Sequence, residues 1–121
     1  MPLAFTHLPA EDTLRGFSTA LVYSYIAFNR TRDPHELDKV VLGVLEFYMG
    51  ATASQALHGA PGGARLTREL GCKVETIADT ICLIEKLFGV QFDAAEIAQL
   101  QTLDDLRQLV AGRVRRASVL V

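Results

Sequence analysis

Few side chains in this chain could do chemistry, and they are scattered. Cys72 and Cys82 stand ten residues apart, and the histidines are His7, His35 and His58. Cys72-Lys73 precedes a helix-like stretch, where the dipole would lower a thiol's pKa and favour the nucleophilic thiolate. No histidine lies near in sequence to act as its base, so Cys72 reads as a small loop residue. Cys82 falls at the edge of that helix's outer face and is expected to be half-buried. The histidines lie on loop or cap positions without ligand spacing, so no metal site is expected. Asp104 and Asp105 sit in a first helical turn, where carboxylates complement the dipole. They therefore need no acid–base role. Gly59-Ala60-Pro61-Gly62-Gly63 lacks the preceding strand and the Lys-Ser or Lys-Thr ending of a phosphate loop. It reads as a flexible loop. No catalytic residue emerges, and the chain is expected not to be an enzyme.

Composition sets wider bounds. Half of the 121 residues are hydrophobic and the net charge is −2. That is enough apolar material for a core in one domain, and too balanced a charge for the concentrated basic face that nucleic acid requires. Two cysteines make neither a disulfide framework nor a metal cluster, which points to the reducing cytoplasm. The start has no signal-peptide pattern. The longest mostly apolar run, residues 17–28, is too short to span a bilayer.

The elements that must position these residues are helical. Leu14, Phe17, Leu21, Tyr25 and Phe28 recur at helical spacing and predict a helix over residues 12–29. Asp33-Pro34-His35-Glu36 is an N-cap, a proline at the first helical position and a capping-box partner. The helix it opens carries Leu37, Val40, Val41, Val44, Leu45, Tyr48 and Met49 inward and is expected to fade between residues 54 and 58. A third helix over residues 74–88 has the stripe Val74, Ile77, Ile81, Ile84 and Phe88, and Gly89 ends it. Asp93 and Glu96 cap a short helix, and a last one begins after Thr102, with Leu103, Leu106, Leu109, Val110 and Val114 inward. The fold class is all-α.

Glu69-Leu70-Gly71-Cys72-Lys73-Val74-Glu75, then Phe88-Gly89-Val90-Gln91-Phe92-Asp93, then Glu96 and Thr102-Leu103-Asp104-Asp105-Leu106 together resemble the acyl carrier protein family. The likeness covers residues 36–112, most specifically 66–110. In that family a "Glu-Leu-Gly-x-Asp-Ser-Leu" segment opens the second helix, and its serine carries the 4′-phosphopantetheine arm. Here Lys73, Val74 and Glu75 replace Asp, Ser and Leu. Valine has no hydroxyl, Thr76 points to another face, and the only serines are Ser18, Ser24, Ser54 and Ser118. The resemblance implies a carrier-like helical bundle in residues 33–121, without its prosthetic group, and an added N-terminal extension in residues 1–32.

By the same resemblance, Lys73, Glu75, Ala78, Asp79, Cys82, Glu85 and Lys86 fall on the face that carriers dock onto partner enzymes of fatty-acid or polyketide-type acyl metabolism. Leu83 flanks that face. A carrier-type bundle closes its own core, so the aromatic N-terminal helix is expected to be an association surface, through Leu14, Phe17, Leu21, Tyr25 and Phe28, giving a homodimer. Packing onto its own domain is the competing outcome. The expected function is a carrier-like protein that binds without carrying. Alternatives are a working carrier with an atypical attachment site, or a helical dimerisation module.

Overall fold

The computed structural model describes residues 16–50, 57 and 59–119. They form α1 (Thr19–Thr31), α2 (Pro34–Met49), α3 (Val74–Phe88), α4 (Ala94–Ala98) and α5 (Leu103–Val119). The described residues contain no strand, only an isolated antiparallel bridge between Arg65 and Thr102. The all-α expectation holds.

Local chemistry sets the helix ends. Ser18 caps α1, its Oγ accepting from the Leu21 N–H at 3.2 Å. The helix therefore starts later than the apolar spacing predicts, beyond Gly16 at φ 92°; residues 12–15, and Leu14 with them, lie outside the described residues. Asp33 caps α2 by accepting from the His35 N–H at 2.9 Å. Glu36 does not complete the expected box: it faces Lys39 at 3.8 Å, one turn on. Helix α2 stops at Gly50, also at φ 92°, earlier than expected. Helices α3, α4 and α5 begin where the sequence places them. Gly89, left-handed at φ 66°, terminates α3 with its N–H on the Glu85 carbonyl. Asp93 and Glu96 make the reciprocal capping box of α4. At the head of α5, Thr102 Oγ1 accepts from the Asp105 N–H at 3.1 Å. In return Asp105 Oδ2 accepts from the N–H groups of Gln101 and Thr102, both at 3.0 Å. These backbone donors hold the Asp105 carboxyl below its usual range.

Two apolar clusters share α2. The larger joins Leu37, Val41 and Leu45 of α2 to Ile77, Ile81 and Ile84 of α3 and to Leu103, Leu106, Val110 and Val114 of α5. The smaller joins Val40 and Val44 of α2 to Leu83 and Leu87 of α3 and to Leu21 and Tyr25 of α1. Phe28 sits in the larger cluster, and its ring meets Phe88 edge-on at 5.7 Å. The Tyr25 hydroxyl donates to the Leu87 carbonyl at 2.8 Å, tying α1 to the end of α3. Helix α1 crosses α2 closely at Gly43, where a Cβ would come within 2.6 Å of Leu21 Cδ1.

This packing corrects the association surface. Leu21, Tyr25 and Phe28 are buried within the chain itself. Phe17 is half-buried, its ring stacked on Phe47 at 3.9 Å. The physical reason is that α2 and α3 each carry a second apolar stripe, which the sequence reading did not separate from the first. The inner face of α1 closes that stripe through Leu21, Tyr25 and Phe28, while Tyr23 and Ile26 of the same helix stay exposed.

The glycine-rich loop is also not free. The Asp104 N–H donates to the Gly62 carbonyl at 2.8 Å, the Leu103 N–H to Ala64 at 3.0 Å, and the Leu66 N–H to Gln101 at 2.9 Å. Ala64, Leu66 and Leu70 are buried in the main core. Ion pairs brace α5 at two levels along its length. Arg107 of α5 grips both oxygens of Asp38 on α2, and Arg113 reaches Glu96 and the Gln91 carbonyl.

Because Phe28 is core, Phe28→Ala should lower unfolding free energy by about 3–5 kcal/mol. Urea denaturation should show the same loss at all protein concentrations; a loss that vanished on dilution would restore the interface reading.

Candidate functional site

Helix α3 has three distinct faces, about a third of a turn apart. Ile77, Ile81 and Ile84 enter the main core, while Thr80, Leu83 and Leu87 are buried on the neighbouring arc. Thr80 satisfies its buried hydroxyl on the Thr76 carbonyl at 2.8 Å, so a polar residue is tolerated there. Glu75, Ala78, Asp79, Cys82 and Lys86 remain, all exposed, and their spacing puts them on one stripe.

The structure thus brings together most of the residues predicted for a docking face. Lys73 is exposed just before the helix, and its side chain makes no cap hydrogen bond. Val74 follows at the first helical position and is 75% exposed, so it does not join the inward stripe that its spacing predicts. Glu85 stands apart from the stripe. It is half-buried, and its Oε2 accepts from the Phe92 N–H at 2.9 Å, so it anchors the turn after α3. Leu83, expected to flank the outer face, is covered by α1. Cys82, expected half-buried, is exposed.

Position 72 shows the opposite effect to a dipole-activated thiol. Cys72 is buried in the main core, and burial pushes its thiol up. Desolvation of the thiolate outweighs the favourable field at the head of α3. Its N–H is committed to the Leu66 carbonyl at 2.8 Å. Cys72 is a packing residue.

Tyr48 of α2, expected inward from its spacing, is only half-buried and borders the stripe. Its phenol is pushed up by burial first, then by the nearby Asp79 and Cys82. Phe47 beside it is 48% exposed, with ring centroids 5.3 Å apart. The available signal was the pair Phe47-Tyr48 itself, since adjacent helical residues cannot share one inward face. The stripe is thus acidic in its middle, cationic at Lys73 and Lys86, and bordered by the Tyr48 ring at the end of α2.

Among the described residues no group of three or more His, Cys, Asp or Glu is placed to hold a metal ion. No helix of theirs is long and apolar enough to cross a membrane. Comparison with protein-family models, with curated proteins and with solved structures finds no match.

The two thiols should separate cleanly. A water-soluble thiol reagent should modify Cys82 rapidly in the native protein and Cys72 only on unfolding. Comparable native rates would contradict the burial. Because the Cys72 pKa is raised on folding, its neutral form stabilises the native state at neutral pH. That contribution should fade as pH rises through and beyond its ordinary value of 9.0. Cys72→Ala should flatten this alkaline decline in thermal unfolding midpoints.

Proposed function

We propose that this is a carrier-like binding protein, without enzymatic activity, that docks through the exposed stripe of α3 onto enzymes of fatty-acid or polyketide-type acyl metabolism in the cytoplasm. It carries no phosphopantetheine, because the position that would bear the arm is Val74. The observation that carries this reading is the placement of Val74. It occupies the exposed first position of α3, after the Glu69-Leu70-Gly71 turn, where the family resemblance puts the attachment serine. Glu75, Ala78, Asp79, Cys82 and Lys86 lie exposed along the same helix. Such a face suits a partner by electrostatic complementarity at a modest interface. Exposed charges set orientation and association rate more than affinity.

An attachment test probes this directly. Incubated with coenzyme A and a broad-specificity phosphopantetheinyl transferase, the protein should keep its mass. Replacing Lys73, Val74 and Glu75 by Asp, Ser and Leu should create a substrate that gains one prosthetic group by intact-mass spectrometry. These positions are exposed, so circular dichroism should show the helices retained. A folded but unmodified triple variant would mean that the likeness stops at architecture.

A further inference from the structure

A concavity lies apart from the exposed stripe of α3, where the end of α1, the start of α2 and the later half of α5 meet. It has a volume of about 210 Å³ and is lined by Phe28, Arg32, Pro34, Leu37, Ala111 and Arg115. Its lining combines a phenylalanine, a proline, a leucine and an alanine with two arginines. We propose that this slot binds a small monocarboxylate with a compact apolar body, its carboxylate held between Arg32 and Arg115. The inference is independent of the reading of α3.

Three observations lead there. First, neither arginine is ion-paired among the described residues. Arg107 and Arg113 on the same α5 are taken up by Asp38 and Glu96. The nearest carboxylate in sequence, Asp33, is turned to cap α2.

Second, Arg32 is held in an unusual conformation. Among the described residues it is the only non-glycine at positive φ, at 60°. Glycine or asparagine is usual at such a helix end. The left-handed turn leaves the Arg32 guanidinium 5.2 Å from the centre of the Phe28 ring, at the slot.

Third, charge and shape together narrow the ligand. A planar guanidinium fork matches a carboxylate, and the apolar walls require a body to bury. Inorganic phosphate supplies no such body. The volume lies below the roughly 300 Å³ at which pockets for drug-sized ligands begin, so the ligand is small.

The test is an NMR titration of the ¹⁵N-labelled full chain with 4-methylpentanoate, beside 4-methylpentanamide, acetate and inorganic phosphate. Saturable shifts are expected at the amides of Arg32, Leu37 and Ala111. The neutral amide, acetate and phosphate should each bind roughly tenfold more weakly or not at all. Arg32→Gly and Arg115→Gln should each weaken 4-methylpentanoate roughly tenfold. Arg32→Gly suits the left-handed backbone and Arg115 is exposed, so both variants should keep their thermal midpoints. Equal binding by the amide would reduce the slot to a hydrophobic dent, and equal binding by acetate or phosphate to a general anion patch. Shifts confined to other residues, unchanged variants, or no saturable response would equally overturn the assignment.

Discussion

Helix α2 is apolar on two sides, and the arrangement of the other helices follows from that. Val40, Val44 and Leu45 have no exposure and Val41 has 1%. Yet Val40 and Val44 belong to one cluster, and Val41 and Leu45 to the other. A surface helix needs one covered stripe, whereas a helix apolar over most of its girth needs neighbours on both sides. Helix α5 with the loop before α3 supplies one cover and α1 supplies the second, with α3 reaching both. Removing α1 would expose Val40, Val44, Leu83 and Leu87 at once. Helix α1 is therefore a structural member of the bundle.

The same requirement decides which part of α3 faces solvent. Two of its faces are consumed by packing, and the free arc is the one bearing Glu75, Asp79, Cys82 and Lys86. The proposed docking stripe is narrower than a carrier-like bundle without α1 would present, since Leu83 is withdrawn from it. On the α2 side the stripe is bordered instead by the half-buried Tyr48. A partner fitted to this stripe would meet carboxylates beside an aromatic ring.

Most of the helix boundaries were legible in the sequence because they are written in short-range chemistry. Gly89, the Asp93–Glu96 box and the first-turn acids after Thr102 each act within a few residues, and α3, α4 and α5 begin or end at them. The fate of the α1 stripe was not legible. Leu21, Tyr25 and Phe28 at helical spacing look the same whether they cover the chain's own α2 or a second molecule. Only the presence of a second stripe on α2 and α3 decides it, and in a helix as apolar as α2 periodicity does not separate two stripes from one broad one. Cys72 and Glu85 show the same limit. A field effect and a docking role were read from local position, but burial by distant elements governs the thiol and a hydrogen bond to Phe92 occupies the carboxylate.

The position of Val74 is itself a long-range product. The capping box of Thr102 and Asp105 fixes the head of α5, and that head holds the preceding loop through Ala64, Leu66 and Gly62. Leu66 in turn holds Cys72 by its backbone, while the Cys72 side chain is sunk in the core. With residue 72 pinned, Gly71 at φ 73° turns the chain so that α3 starts at once. Each link is a backbone hydrogen bond or a buried side chain, so the exposed head of α3 stands on a rigid base although no side chain caps it. That rigidity is what a presented group needs, whether the group is a prosthetic arm or a contact to a partner: a site on a fixed helix end loses little freedom when it is engaged. Substituting a side chain at position 74 alters what is displayed there, and the scaffold that displays it runs from the neighbouring Gly71 and Cys72 back through Leu66 and Ala64 to the head of α5.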